Sequence, residues 1–158
     1  MTAKEYLRQI RSVDKRIKNK LEMVEQLRDT ATNATATLSD MPRSDSPNLQ
    51  RMEDTICKIV DLENEISEEI NRLVDLKREA QAAIDALPNF DQQMVLELRY
   101  LCCKSWPEIM TELGYSETTV YRMHNQALEK FVVPENSGVN AIERELSSAH
   151  IGTMEVYR

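Results

Sequence analysis

Residues 7–38 read LRQIRSVDKRIKNKLEMVEQLRDTATNATATL, with an apolar side chain at every third or fourth position. Such spacing places the apolar side chains on one face of a helix. The stripe comprises Leu7, Ile10, Val13, Ile17, Leu21, Val24, Leu27, Ala31, Ala34 and Leu38. Thr2 and Glu5 stand before it in capping-box order, in which a hydroxyl and a carboxylate bind backbone N–H groups. The pattern predicts one long helix that begins just after Thr2.

A second apolar stripe of similar length follows and ends before Pro88. Its members are Met52, Ile56, Ile59, Leu62, Ile66, Ile70, Leu73, Leu76, Ala80, Ile84 and Leu87. Between the stripes, residues 39–48 are polar and contain two prolines, which predicts a turn. Two helices joined so briefly are expected to pack antiparallel. Each would be on the order of 50 Å long at about 1.5 Å per residue, so residues 1–87 are predicted to form an antiparallel coiled-coil hairpin.

Opposite charges on the two predicted helices favour their pairing. Residues 1–20 have a net charge of +5, whereas residues 49–86 have a net charge of −5. Complementary charged rims favour association of the two different helices over self-pairing of either one. Apolar stripes of this length also predict a homo-oligomer, most simply a dimer with a four-helix core.

The composition is typical of an all-α protein and excludes several kinds of site. The 158 residues carry a net charge of −7 and are 41% hydrophobic but only 5% aromatic, which suits long amphipathic helices. No glycine precedes Gly114, so residues 1–113 hold no glycine-rich phosphate loop. Cys57, Cys102 and Cys103 have no partner at metal spacing, which predicts buried free thiols, no metal and no cofactor. We do not expect the protein to be an enzyme, because the sequence shows no candidate nucleophile paired with a general base.

The N-terminal residues are charged every few positions, and no window of the chain approaches 18 apolar residues. We therefore expect neither a signal peptide, which needs an apolar core, nor a membrane span. We expect a cytoplasmic protein without membrane contact.

Residues 89–131 break the long periodicity into three shorter helices. Asn89 is placed to cap the first helix, and Ser105 begins a second capping box. Gly114 is placed to end the second helix in the left-handed conformation, after which Ser116 caps the third. The inward side chains of the first helix are Met94, Val95, Leu98 and Leu101; those of the third are Val120, Met123, Ala127, Leu128 and Phe131. The tail, residues 132–158, is predicted as a linker with at most one short helix over residues 140–149.

Residues 106–125 read WPEIMTELGYSETTVYRMHN, which is the spacing of a helix-turn-helix. Its second helix displays polar groups that suit a DNA major groove: Arg can bond guanine, Asn can bond adenine, and Thr can contact phosphate or thymine. The candidate DNA-binding residues are Lys104, Ser116, Thr118, Thr119, Tyr121, Arg122 and Asn125. Trp106 is predicted to anchor the core, whereas His124 and His150 are predicted to be ordinary surface or partly buried side chains.

Four stretches carry a resemblance to region four of the sigma-70 class of bacterial transcription factors: LRYL at 98–101, WPEI at 106–109, LGYSETTV at 113–120 and QALEKF at 126–131. More widely, residues 1–131, with the acidic run VDLENEI at 60–66, resemble small sigma-like proteins of phages and prophages of Gram-positive bacteria, of the RinA and ArpU type. The resemblance implies control of phage transcription, and it implies that Thr118, Tyr121 and Arg122 lie at base edges. Residues 88–131 are thus expected to form the helix-turn-helix domain.

The charge of this domain leaves the function open between two classes. Residues 89–131 have a net charge of −2, and DNA affinity depends on neutralising phosphates, so the domain alone should bind DNA weakly. A hairpin would bring Lys4, Arg8, Arg11 and Lys15 beside it as phosphate contacts. The first hypothesis is therefore a sequence-specific DNA-binding regulator of phage transcription. The alternative is an adaptor that contacts RNA polymerase or another phage protein, or a three-helix bundle that only packs against the hairpin.

Overall fold

The computed structural model describes residues 1–38, 47–135 and 138. Every regular element within these residues is helical, so the predicted all-α class is confirmed. A π-helical turn, called the π turn below, follows the third helix directly at Glu97–Leu101. The five α-helices are α1 (Ala3–Leu38), α2 (Pro47–Asp85), α3 (Phe90–Leu96), α4 (Trp106–Leu113) and α5 (Glu117–Lys130).

The predicted turn between the long helices lies largely outside the described residues, as does the possible helix at residues 140–149. Pro47 and Asn48 were expected in that turn, and this prediction is wrong, because both residues belong to the first turn of α2. Proline suits that position, since the first N–H groups of a helix have no partner and the fixed φ of proline matches the helix.

The chain divides into two compact units, and the division cuts both long helices. The first unit comprises Met1–Val13 together with the described residues from Arg72 onward. The second unit comprises Asp14–Asn71. The first two to three turns of α1 therefore pack in the same unit as α3, α4 and α5.

In the second unit, α1 and α2 contact each other through apolar and charged side chains. The Lys20 ammonium lies 2.7 Å from Glu69 and 3.5 Å from Glu65, and Arg28 forms an ion pair with Glu63. The Lys20 pairs join the basic residues 1–20 to the acidic part of α2, as the charge pattern predicts, whereas Arg28 lies beyond that basic stretch. Among the side chains of this unit that the structure describes, the buried apolar ones are Ile17, Val24, Ile59 and Ile66.

Three members of the predicted stripes remain exposed in the second unit. The exposed fractions are 48% for Leu21, 45% for Ile56 and 39% for Ile70. Apolar residues at steps of three and four cover a broad face of a helix, whereas one partner helix covers only a narrow seam. The edge of each stripe is therefore left uncovered by the pairing of α1 with α2.

In the first unit, a hydrophobic core joins α3, the π turn, α4 and α5. Its buried members are Val95, Leu98, Ile109 and Val120, and the partly buried side chains packed against them are Met94, Trp106, Met110, Leu113 and Met123. These residues include five of the predicted inward positions, Met94, Val95, Leu98, Val120 and Met123. Outside the cluster, Leu101, Ala127 and Phe131 are also buried, and Leu128 is half-buried.

The helix ends in the first unit follow the predicted caps. The side chain of Asn89 accepts a hydrogen bond from the N–H of Asp91 at 2.8 Å. The N–H of Ser105 donates to the Glu108 carboxylate at 2.7 Å, which forms the predicted capping box at the start of α4. Gly114 ends α4 with a φ of 69°, a left-handed conformation that glycine adopts without steric cost.

The N-terminus of α1 is capped in the same way. The N–H of Thr2 donates to the Glu5 carboxylate at 2.7 Å, and the N–H of Glu5 donates to the Thr2 hydroxyl at 3.3 Å. These hydrogen bonds lower the pKa of Glu5. The predicted cap is therefore confirmed, and it fixes the part of α1 that belongs to the first unit.

The cysteines are free, but the prediction that they are buried is wrong. Cys57 and Cys102 are exposed and Cys103 is half-buried. Cys57 lies on an outward face of α2, whereas the other two follow the π turn in a loop where Cys103 has a φ of 58°. Over the described residues, no group of side chains is suited to hold a metal ion, and no helix is long and apolar enough to cross a membrane.

Candidate functional site

The π turn positions two side chains that the sequence analysis did not select, Arg99 and Tyr100. Its widened hydrogen bonding is seen where the N–H of Cys102 donates to the carbonyl of Glu97 at 3.0 Å, five residues earlier. Single π-helical turns occur often at functional sites, because they change the direction in which side chains leave the helix. Here the turn directs Arg99 and Tyr100 toward α4 and α5.

Trp106 contacts three of the side chains around the site. The Arg99 guanidinium lies over the indole, 4.4 Å from the ring centroid, and donates to the Lys104 carbonyl at 3.0 Å. The rings of Tyr121 and His124 lie 4.7 Å and 5.0 Å from the indole, the second of them edge-on. Trp106 also packs against the core of the first unit, which confirms its predicted role as an anchor. Its contacts fix Arg99 and Tyr121 relative to each other.

His124 is buried, contrary to the prediction of a surface or partly buried side chain. Its exposed fraction is 4%, and its Nε2 atom lies 2.9 Å from the hydroxyl of Tyr100, at hydrogen-bond distance. Burial, together with the charges of Lys4 and Arg99, lowers the pKa of His124 to about 4. Burial also raises the pKa of Tyr100. Both side chains are therefore neutral at pH 7.

A groove of about 240 Å³ opens beside these side chains, within the first unit. We call it the basic groove, and its lining residues are Lys4, Arg8, Arg11, Arg99, Tyr100, Trp106, Tyr121, His124 and Asn125. Four of these nine carry a positive charge, and none is a carboxylate. The groove is therefore a concentration of positive charge in a protein that is acidic overall.

The N-terminal turns of α1 supply three of the four cations. No ion pair connects Lys4, Arg8 or Arg11 to any residue within the described part of the chain. Burial, together with the positive charge of Arg11, lowers the pKa of Arg99. Both arginines line the groove, no lining carboxylate offsets their charges, and a bound anion would therefore be stabilised there. Lys15, which was grouped with these cations in the sequence analysis, belongs to the second unit.

Among the predicted DNA-binding residues, Tyr121 and Asn125 line the basic groove. Thr118, Tyr121, Arg122 and Asn125 are spaced three or four apart on α5 and are all exposed, so they share one surface of the helix. We call this surface the outward face of α5. The predicted helix thus presents its polar groups to solvent next to the groove.

The remaining predicted residues lie elsewhere. Ser116 occupies the N-cap position of α5, but its hydroxyl makes no hydrogen bond to the backbone of the helix, so the predicted side-chain cap is wrong. The hydroxyl lies instead 3.0 Å from that of Thr119, which is half-buried. Lys104 lies in the loop before α4 and forms an ion pair with Glu112, and this contact raises the pKa of Lys104. Of the seven predicted residues, Lys104 is the one whose charge a carboxylate already neutralises.

The lowered pKa of His124 predicts a loss of stability in mild acid. A base whose pKa falls from 6.5 to about 4 on folding binds a proton more readily in the unfolded chain, so stability falls as the pH drops through this window. We expect a loss of about 1–2 kcal/mol, because one pKa unit corresponds to about 1.4 kcal/mol and solvent screening reduces the full value.

His124→Gln tests this expectation, because glutamine keeps a hydrogen-bonding group toward Tyr100 but does not titrate. The measurement is urea unfolding of both proteins at several pH values between 7 and 4. Wild type should lose more stability than His124→Gln over this range. Parallel pH profiles would show that His124 is not the responsible group.

Comparison with known proteins identifies one family. Residues 46–131, more than half of the chain, match the family described as protein of unknown function (DUF1492). No curated protein and no solved structure gives a significant match to the chain. The matched region contains α3, the π turn, α4 and α5, and so most of the residues that line the basic groove. By this match, the chain belongs to the DUF1492 family.

Proposed function

We propose that this protein is a cytoplasmic, sequence-specific DNA-binding regulator of phage or prophage transcription. In this proposal the outward face of α5 contacts base edges, while the cations of the basic groove bind backbone phosphates. The observation that carries it is the position of Lys4, Arg8, Arg11 and Arg99 beside Tyr121 and Asn125 in one groove. Phosphate contacts position a protein on DNA, and base contacts give it specificity, so the two groups of residues supply both requirements.

The helices around the site support a helix-turn-helix at α4 and α5. The left-handed Gly114 joins the two helices, and Ile109 and Val120 meet in the core from either side of the turn. The pairing of Lys20 with Glu69 and of Arg28 with Glu63 supports an antiparallel hairpin, because the position on α2 falls as the position on α1 rises. We further propose that the hairpin mediates dimerisation through its exposed apolar edges.

A phage context agrees with the family. DUF1492 proteins are commonly associated with phages. The resemblance to region four of sigma factors and to RinA and ArpU type regulators points to transcription as the process controlled. Contact with RNA polymerase is compatible with the same role.

An exposed aromatic residue favours the adaptor as a second candidate function. Phe90, the first residue of α3, is 71% exposed, and the hydroxyl of the exposed Tyr115 donates to the Asp91 carboxylate at 3.3 Å. Aromatic residues on a protein surface are enriched at sites of protein–protein contact. In the adaptor proposal this surface would bind RNA polymerase or another phage protein, with little direct DNA contact.

Selection from a random duplex library separates the two functions. We expect the full chain to enrich a defined sequence, and Arg122→Ala to bind that sequence about 5- to 150-fold more weakly, because a bidentate Arg–guanine contact contributes about 1–3 kcal/mol of discrimination. Binding is measured by fluorescence polarisation at fixed salt concentration. The matched control is Arg51→Ala, which removes an exposed arginine of the second unit.

The adaptor function predicts a different pattern. No sequence would be enriched, wild type and Arg122→Ala would bind DNA equally weakly, and Phe90→Ala would lose binding to the polymerase. Enrichment of a motif with equal affinity of Arg122→Ala and Arg51→Ala would also contradict the role of the outward face of α5.

A further inference from the structure

We infer that the basic groove is a discrete binding site for a single phosphate group, held chiefly by Arg11 and Arg99. The phosphate can come from a DNA strand or from a free nucleotide. The inference rests on the proposed function for the first source only. A free nucleotide bound at this site would compete with DNA and so act as a regulator.

The composition of the groove specifies the charge of the ligand. The four cations that line it face aromatic rings, an amide and a neutral imidazole, and no carboxylate is among the lining residues. Because like charges converge here without a compensating acid, binding of an anion is favoured over binding of a neutral or cationic ligand. Guanidinium groups in particular match the oxygens of phosphate with two parallel hydrogen bonds.

Arg99 is held in place for such a contact. Its guanidinium lies over the Trp106 ring at 4.4 Å and donates one hydrogen bond to the Lys104 carbonyl at 3.0 Å. A guanidinium has five N–H donors, so four donors remain beyond this bond. Because the side chain is already ordered, little conformational entropy is lost when a ligand binds.

The size of the groove limits the ligand to a small group. Its volume of about 240 Å³ is below the roughly 300–1,000 Å³ of typical small-molecule pockets. A phosphate and the sugar atoms next to it suit this volume better than a whole dinucleotide. Tyr121 and Asn125 lie at the side of the groove that belongs to α5, so the rest of a nucleotide or of a DNA strand would lie near the outward face.

The experiment uses the fluorescence of Trp106, because it is the single tryptophan of the chain and lines the groove. The full chain is titrated at constant ionic strength with inorganic phosphate, with adenosine 5′-monophosphate and with a 20-base-pair duplex. Arg11→Gln is the test variant, since Arg11 lies in a capped helix and its replacement does not disturb the stack on Trp106. Arg78→Gln, an exposed arginine outside the lining residues, is the control.

Two results support the inference and identify the source of the phosphate. Saturable fluorescence changes with inorganic phosphate or the nucleotide, weakened at least tenfold in Arg11→Gln and unchanged in Arg78→Gln, show a site for a free phosphate. A change with the duplex alone, weakened in the same variant, shows a site for backbone phosphate.

Other results overturn it, and they separate its failure from that of the proposed function. No response to any of the three probes, or equal responses of Arg11→Gln and wild type, excludes the phosphate site. If neither inorganic phosphate nor the nucleotide binds and duplex binding by polarisation is normal in Arg11→Gln, the phosphate site is wrong and the DNA-binding function stands. If the nucleotide binds and no duplex does, the phosphate site stands and the DNA-binding function is wrong.

Discussion

Replacing Arg8 and Arg11 together with glutamine should lower DNA affinity about a hundredfold at 50 mM salt and about eightfold at 200 mM, because each phosphate contact contributes about −0.9 to the slope of log affinity against log salt. Both residues line the basic groove, and no ion pair ties either of them to another described residue. Their charges are therefore available to displace the counterions of DNA. The slope itself should become less negative by about two.

The control for this prediction removes the same charge elsewhere. Arg51→Gln with Arg78→Gln also deletes two positive charges, but neither residue lines the basic groove. If DNA affinity depended only on net charge, both double variants would lose the same amount of affinity. If the slope of log affinity against log salt is unchanged in the Arg8→Gln, Arg11→Gln double variant, the first turns of α1 do not contact DNA.

The second large effect concerns the core that supports α5. Ile109 is fully buried and contacts the cluster of Val95, Leu98 and Val120. Truncation of a buried isoleucine to alanine removes apolar contacts and leaves a cavity, which costs about 2–5 kcal/mol. We expect Ile109→Ala to reduce the free energy of unfolding of the first unit by this amount, measured by urea unfolding with Trp106 fluorescence.

Two further variants keep this test decisive if Ile109→Ala does not fold. Ile109→Val removes one methylene and should cost about 0.5–1.5 kcal/mol. Ile56→Ala truncates an isoleucine that is 45% exposed, so it should cost far less than Ile109→Ala. If Ile109→Val is as stable as wild type and Ile56→Ala is destabilised, the packing of α4 against α5 is not as described.

Local signals in the sequence predicted helix ends well. The caps at Thr2, Asn89 and Ser105 and the left-handed Gly114 depend on side chains and backbone within a few residues of each other, so their chemistry can be read from the chain. The inward positions Val95, Leu98 and Val120 follow from helical periodicity in the same way. These signals do not require knowledge of which helices meet.

Other features depended on tertiary contacts and were missed. The prediction of buried thiols was wrong, because the burial of a small cysteine depends on which helix faces pack together. Cys57 lies on a face of α2 that stays exposed. Arg99 was not selected, because an ordinary helix was expected through Leu101 and the π turn changes the direction of its side chain. Its position between a leucine and a tyrosine of the LRYL stretch gave no indication that it would stack on Trp106.

The candidate site was predicted in part, for the same reason. Tyr121, Arg122 and Asn125 were found because they follow from the period of a single helix. The prediction that cations of α1 belong to the site required an assumption about how the chain folds back. In the structure, Lys4, Arg8 and Arg11 line the same groove as residues of α5. The burial of His124 against Tyr100 joins residues 24 positions apart, which periodicity within one helix does not reveal.

The central claim is that the outward face of α5 and the basic groove contact a DNA duplex. The most direct measurement is a titration of the isotope-labelled full chain with the selected duplex, in which NMR chemical shifts of the backbone amides and the indole are monitored. We expect the largest shifts at Thr118, Arg122, Asn125 and the Trp106 indole, with smaller shifts at Arg11. Shifts confined to the Asp14–Asn71 unit or to the surface around Phe90, with none on α5, would contradict the account.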